Sequence, residues 1–223
     1  MKAHPALLPR LVLCLIALLP FALAATPAAN PPTGPAPVAG IDYEVIADGA
    51  PFAPTPGKIE VVEAFGYTCI HCARFEPRLR AWRAKLPADV QFTAVAAPFG
   101  GYWIPYAKAF YAAQSLGLVD RTHGAMFRAL HDDGSLPISQ PTAQEIAGFY
   151  AGHGADPQQF IDAMASDAVA AQLQRARAFL LRSGVDATPT LIVNGKYRVL
   201  GSPADALRTV DYLIARERAA RAE

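Results

Sequence analysis

The sequence has few cysteines and no excess of charge of either sign. Only three of its 223 residues are cysteine, too few for a fold stapled by disulfides. Lysine and arginine total 20 and aspartate and glutamate total 19, with no basic block, which argues against nucleic acid as a partner. No internal repeat is visible. With 52% hydrophobic residues, the chain is long enough for one domain carrying a sizeable insertion.

The N-terminus lacks an apolar run long enough for a comfortable membrane span. Its run from Leu11 to Leu23 has 13 residues, follows the basic Lys2 and Arg10, and leads to a small-x-small cleavage site ending at Ala24. We therefore predict a cleavable signal peptide over residues 1–24 and export to the bacterial periplasm. An uncleaved anchor is the alternative.

Cleavage after Ala24 changes both the cysteine count and the charge. Cys14 lies inside the signal segment behind Leu13, where a lipoprotein signal has a small residue, so we expect it to be discarded. The remaining chain has 18 basic and 19 acidic residues, a net charge of −1, and only Cys69 and Cys72. Export places this pair in an oxidising compartment.

The order of predicted elements indicates a mixed α/β fold. Residues 25–40 are rich in proline and alanine and predict a linker. We predict a sheet domain over 41–98 and 185–223, interrupted by an all-helical domain over 99–184. The predicted strands are 43–46, 58–65, 90–97, 190–193 and 197–200, and the predicted helices include 70–86, kinked at Pro77, and one opening at Ser202.

Local signals support these boundaries. Thr142 and Glu145 have the spacing of a capping box, and Asp156 before Pro157 is typical of a helix start. Asn194-Gly195 between two apolar runs is the strongest short signal for a β-hairpin.

Cys69 and Cys72 stand where the strand 58–65 gives way to the helix 70–86. A helix start offers unpaired N–H groups and a partial positive charge, which lower the pKa of a thiol at Cys69. The offset of three residues places Cys72 one turn along, close enough to form or resolve a disulfide. The helix end alone stabilises a thiolate by about 0.3–1 kcal/mol. A strongly acidic thiol therefore also needs N–H···S bonds and a nearby cation, for which His71 is the only local candidate.

Two other readings of the cysteine pair remain open. C-x-x-C is half of many zinc sites, but no second cysteine pair follows, and His123, His131 and His153 show no ligand-like clustering. An inert structural disulfide is the other alternative, although so short a loop adds little stability. We expect no metal and no cofactor besides the redox-active disulfide.

Glu63 and Thr188-Pro189 are unusual for their positions. Glu63 interrupts an apolar strand six residues before Cys69; if buried, its pKa rises and it can exchange protons with Cys72, whereas an exposed strand end is the alternative. Pro189 precedes the strand 190–193, where a cis turn is one possibility.

Together these residues resemble the DsbA family of periplasmic thiol oxidases. The resemblance runs from about Ile41 to the C-terminus and rests on the segment 63–72 (EAFGYTCIHC), the helical block and Thr188-Pro189-Thr190. It implies a thioredoxin fold with an inserted helical domain. It also implies that Cys69 is the exposed nucleophile, Cys72 its buried partner and His71 the tuning residue.

The resemblance assigns three further site residues and has two departures. It implies that Glu63 is the buried acid, Pro189 a cis-proline facing the disulfide, and Thr188 a contact for the substrate backbone. Ile70 stands where the best-known members have proline, and Thr188 stands where some have valine. These departures bear on the reduction potential and on how substrates are held.

The predicted function is that of a thiol–disulfide oxidoreductase that donates its Cys69–Cys72 disulfide to exported proteins with free cysteines. We expect a DsbB-type membrane quinone reductase to re-oxidise it. The first alternative is a periplasmic reductase or isomerase, but residues 26–40 are too short for the extra dimerisation domain of such isomerases, so we expect a monomer. A redox-dead binding module is the alternative from another class.

Overall fold

The computed structural model describes residues 34–222, besides Met1. The predicted signal peptide and most of the predicted linker therefore lie outside the described residues. None of the described helices is long and apolar enough to cross a membrane.

Five described strands form one mixed sheet in the order β1-β5-β4-β2-β3. β2 pairs in parallel with β3, and the other neighbours pair antiparallel. All seven residues of β2 are buried, as its nearly continuous apolar run predicts for a strand covered on both faces. The strands are β1 (Tyr43–Val45), β2 (Ile59–Phe65), β3 (Val90–Ala96), β4 (Thr190–Val193) and β5 (Tyr197–Val199).

Seven helices are described, and five of them follow one another between β3 and β4. These five correspond to the helical block that the sequence predicts. The first helix ends at Arg83 rather than at Leu86, and it continues through Pro77. The helices are α1 (Ile70–Arg83), α2 (Trp103–Ser115), α3 (Val119–His131), α4 (Ala143–Ala151), α5 (Pro157–Ala165), α6 (Asp167–Arg182) and α7 (Pro203–Ala222).

The side chains of β2 alternate between two apolar clusters. Val62 belongs to the cluster shared with the helices α2–α6. Val61 belongs to the other, which also holds Leu79 of α1 and Val210 of α7. All of these elements belong to one compact unit, so the domain boundaries at 98/99 and 184/185 stay predictions.

The predicted local signals are present. Thr142 Oγ1 accepts from Glu145 N at 3.1 Å, and Glu145 Oε2 accepts from Thr142 N at 2.7 Å, which completes the capping box. Asn194 and Gly195 both have positive φ, 52° and 67°, as the turn between β4 and β5 requires.

Candidate active site

Cys69 is the N-cap of α1, directly after the turn that leaves β2. Its Sγ accepts a hydrogen bond from the backbone N–H of Cys72 at 3.4 Å. Cys69 and Cys72 are both free thiols in this structure. Cys69 is 9% exposed and Cys72 is 0% exposed. Cys69 is thus less exposed than the resemblance implies, because the Thr188 loop lies against it, but it is the member of the pair that reaches the surface.

The surroundings separate the acidities of the two thiols. The pKa of Cys69 is lowered to about 5, chiefly by a hydrogen bond from the Cys72 thiol, with Thr188 and the N–H groups of Cys72 and His71 adding to the effect against the cost of burial. Burial raises the pKa of Cys72, and the hydrogen bond to Cys69 raises it further. Cys69 is therefore the thiol that ionises readily at neutral pH, whereas Cys72 stays protonated.

The rate of Cys69 alkylation is expected to rise through pH 5 instead of through the pH 9 of an ordinary thiol. Below pH 5 the thiolate population falls, and the rate should fall tenfold per pH unit. The measurement is iodoacetamide modification of the reduced protein between pH 3 and pH 9. A midpoint above pH 8 would mean that the hydrogen bonds to the sulfur do not stabilise the thiolate.

The Thr188–Pro189 segment closes one side of the cysteine pair. The peptide bond between these two residues is cis, and Cys69 Sγ lies 3.4 Å from the Thr188 carbonyl oxygen. Both residues are half-buried and directly precede β4. The two segments that meet here are separated by 119 residues in the chain.

His71 approaches Cys69 through its backbone. Its side chain is exposed, and within residues 34–222 its imidazole makes no hydrogen bond, whereas its N–H helps to lower the pKa of Cys69. The structure thus places hydrogen-bond donors, rather than an imidazolium, against the sulfur. The tuning role of the His71 ring stays a prediction.

Glu63 is fully enclosed in the middle of β2. It lies between Ala94 of β3 and Leu191 of β4 and is 1% exposed, so the alternative of an exposed strand end is wrong. Burial raises its pKa to about 8, with a further contribution from the charge of Glu76. Its charge in turn helps to raise the pKa of Cys72. Within the described chain, its Oε2 has no hydrogen-bond partner.

Glu76 and His123 are two neighbours of Glu63 that the sequence analysis did not identify. One ligating atom from each of Glu63, Glu76 and His123 lies within 4.8 Å of the others, so His123 does cluster with potential ligands. The His123 ring is held by Tyr67, whose hydroxyl lies 2.9 Å from Nδ1. One signal was available: Glu76 follows Cys72 by four residues and so shares its face of α1.

A groove of about 470 Å³ runs between α1 and α3, beginning at Ile70 beside Cys69. It is lined by basic side chains of both helices, and Glu76 lies in its wall. Three aromatic side chains of α2 are buried in the core: Tyr106, Phe110 and Tyr111.

Comparisons with known proteins extend over most of the chain. Residues 49–211 match the family model described as thioredoxin. A thiol:disulfide interchange protein DsbA of Azotobacter vinelandii is 40% identical over 186 residues, covering 82% of this chain and 85% of that protein. The crystal structure of the oxidoreductase DsbA from Xylella fastidiosa has a TM-score of 0.81 and 51% identity, covering 82% of this chain and 98% of that chain. That of Pseudomonas aeruginosa DsbA has a TM-score of 0.77 and 39% identity, covering 83% and 97%.

Proposed function

Since the chain belongs to the DsbA family of thiol–disulfide oxidoreductases, we propose that it oxidises exported proteins in the periplasm by donating a Cys69–Cys72 disulfide. Its thioredoxin fold with a helical insertion is the fold of that family. The observation that supports an oxidase most directly is the position of Cys69 as the N-cap of α1, where its Sγ accepts from the Cys72 N–H beside a fully buried Cys72 side chain. A hydrogen bond from the Cys72 thiol, together with these N–H contacts, lowers the pKa of Cys69 to about 5. A stable thiolate favours the reduced protein, and therefore makes its disulfide a stronger oxidant.

The proposed reaction has two exchange steps. A substrate thiolate attacks Cys69 Sγ, the Cys69–Cys72 bond breaks, and a mixed disulfide forms between substrate and Cys69. A second substrate thiolate then attacks the substrate sulfur, and Cys69 leaves as a thiolate. The substrate loses two electrons to the protein, and the low pKa of Cys69 makes it a good leaving group.

Glu63 supplies the proton for the first step. Cys72 leaves as a thiolate whose pKa is raised by burial, so it requires an acid close by. Glu63, with a pKa of about 8, is protonated at neutral pH and becomes the carboxylate base when Cys72 attacks during re-oxidation. The substrate backbone lies along Thr188 and Pro189, next to Cys69.

Re-oxidation closes the cycle. A DsbB-type membrane quinone reductase takes the two electrons, so the protein needs no bound cofactor. The protein acts as a monomer, and its signal peptide directs it to the periplasm. The acidic Cys69 favours this role over that of a reductase, whose disulfide would have to be the more stable form.

The test is a disulfide-transfer assay with the oxidised full-length mature protein and a reduced, unfolded substrate containing two cysteines. The proposal predicts that one equivalent of substrate disulfide forms per equivalent of protein, with both protein cysteines recovered as thiols. Reduction of an oxidised substrate without oxidation of a reduced one would support the reductase alternative and contradict the proposal.

A further inference from the structure

The groove between α1 and α3 has an excess of positive charge along its length. It begins at Ile70, which follows Cys69 directly and is 38% exposed. Guanidinium groups from both helices line it, those of Arg74 and Arg80 from α1 and that of Arg128 from α3. The whole sequence has a formal net charge of only +1, so this excess is a local property and not the consequence of a basic chain.

These three arginines are not engaged elsewhere in the protein. All three are exposed, and within residues 34–222 their side chains form neither an ion pair nor a hydrogen bond. Arg218, by contrast, donates two hydrogen bonds to the Asp89 carboxylate, at 2.5 and 2.8 Å. A guanidinium group presents its N–H donors in a planar fork that matches a carboxylate. The groove therefore offers three such forks to carboxylates from outside the chain.

The acidic residues of the groove do not neutralise this charge. Glu76 is buried in the wall, where burial raises the pKa of its carboxyl group, and Asp132 is exposed. Neither forms an ion pair with the three arginines of the groove within the described chain. Arg128 Nη1 lies 3.7 Å from the position that a Cβ atom on Gly124 would take, so this guanidinium lies over the space that the glycine leaves in the wall.

The groove has the length and the floor that a short extended peptide requires. An α-helix rises about 1.5 Å per residue, so the lining from Ile70 to Arg80 is about 15 Å long. An extended peptide rises about 3.3 Å per residue and would place about four or five residues along it. Ala73 and Phe127 supply apolar surface between the arginines. A substrate that reacts at Cys69 would thus meet the groove with residues close to its own cysteine.

We propose that this groove binds an acidic segment of the substrate polypeptide, on one side of the cysteine that reacts with Cys69. The inference rests on the proposed function and adds a substrate preference to it. Carboxylates of the segment pair with the guanidinium groups of Arg74, Arg80 and Arg128. A cleft lined by charge of one sign raises the association rate of an oppositely charged partner by about 10–10³-fold. The preference therefore acts on the rate at which the oxidised protein captures its substrate.

The test uses the oxidised full-length mature protein and an excess of peptides that each contain one cysteine. Glutamates or lysines stand on the N-terminal side of that cysteine in one pair of peptides and on the C-terminal side in another. A peptide thiolate attacks Cys69 Sγ and the Cys69–Cys72 bond breaks; a second peptide thiolate then attacks the bound peptide sulfur, and Cys69 leaves as a thiolate. Two peptide thiols thus become one disulfide, and acid quenching follows the loss of the protein disulfide.

Each rate constant is divided by that of the same peptide with a small-molecule disulfide, because neighbouring charges also change the reactivity of the peptide thiol. At low ionic strength we expect the glutamate peptide to react about tenfold or more faster than its lysine counterpart. This preference should hold for one side of the cysteine only, since the groove leaves Cys69 in one direction. In about 1 M salt, where the Debye length is about 3 Å, most of it should disappear.

Variants of the groove should change the preference without a change in fold, which circular dichroism checks. Arg128→Glu should lose most of it, and the double variant Arg74→Glu and Arg128→Glu should prefer the lysine peptide. Arg177→Glu is the matched control, because Arg177 is an exposed arginine of α6 that does not line the groove. It changes the net charge by the same amount as Arg128→Glu and should keep the wild-type preference.

Three results would overturn the role of the groove. They are equal normalised rates for glutamate and lysine peptides, an equal preference on both sides of the cysteine, and an equal loss of preference in Arg128→Glu and Arg177→Glu. Fast oxidation of all peptides without a preference would leave the proposed function intact. A wild-type protein that oxidises no peptide faster than the small-molecule disulfide does would contradict the proposed function itself.

Discussion

Cys69→Ser is expected to reduce disulfide transfer to the uncatalysed rate. Serine cannot form the mixed disulfide, and Cys72 cannot replace Cys69 because it is 0% exposed and its thiol pKa is raised by burial. The measurement is the oxidation of a reduced substrate by the variant in the presence of a small-molecule disulfide. Circular dichroism of the same sample shows whether the fold is retained.

Cys72→Ser is the informative companion to that variant. Its hydroxyl can still donate to Cys69, so the Cys69 pKa should stay well below 9, whereas the first exchange product can no longer be resolved from within. We expect a mixed disulfide to accumulate when the Cys69 thiolate of the variant attacks the disulfide of an oxidised substrate protein, whose other sulfur is released as a thiolate. If Cys69→Ser kept its biological activity, the protein would be a binding module with this fold, and the redox account would be wrong.

Glu63→Gln is expected to make the protein more stable at alkaline pH while slowing its exchange chemistry. The folded-state pKa of Glu63, about 8, lies above the 4.5 of a solvent-exposed glutamate, so the folded protein binds this proton more tightly than the unfolded chain. Stability is therefore lost as pH rises from 4.5 to 8, by about 5 kcal/mol in the limit. Glutamine has no charge to bury and avoids this loss.

The measurement is denaturant unfolding of the reduced proteins at pH 4.5 and pH 9. The difference in unfolding free energy between Glu63→Gln and wild type should move in favour of the variant by several kcal/mol over this range. At pH 7 the attack by Cys72 should slow by about 10²-fold or more, since the variant lacks the base. A stability difference independent of pH, or unchanged exchange kinetics, would remove Glu63 from the proposed mechanism.

Glu60 is the matched control for a buried carboxylate on the same strand. It is also 1% exposed, but its oxygens accept hydrogen bonds from the N–H groups of Phe52 and Ala53, at 2.6 and 3.0 Å, and from the Thr93 hydroxyl. Glu60→Gln replaces one acceptor oxygen with a donor and should destabilise the protein without affecting the exchange steps. The contrast between the two glutamates separates a structural carboxylate from a catalytic one.

The sequence predicted the parts of the fold and site that depend on local chemistry. The apolar run of β2, the cap at Thr142 and the turn at Asn194-Gly195 each have one physical solution, and all three are present in the structure. Thiol–disulfide chemistry could likewise be predicted from the cysteine pair at a helix start, because free N–H groups and a spacing of three residues are local properties.

The sequence could not identify features formed by segments distant in the chain. His123 has the spacing of an ordinary core residue of α3, and only the packing of α3 against α1 brings it to Glu76. The hydrogen bonds that lower the pKa of Cys69, the largest of them from the Cys72 thiol, depend on packing that periodicity cannot reveal. Glu60 and Glu63 look alike in sequence, yet only the former has partners for both oxygens.

The reduction potential of the Cys69–Cys72 pair tests the central claim most directly. The full-length mature protein is equilibrated with glutathione buffers at pH 7, and the thiol and disulfide forms are trapped with acid and counted. A thiolate stabilised at Cys69 predicts a potential well above the glutathione couple, since each pKa unit is worth about 30 mV for a two-electron couple. A potential close to that of thioredoxin, about −270 mV, would show that the disulfide is the stable form, and the protein would then be a reductase.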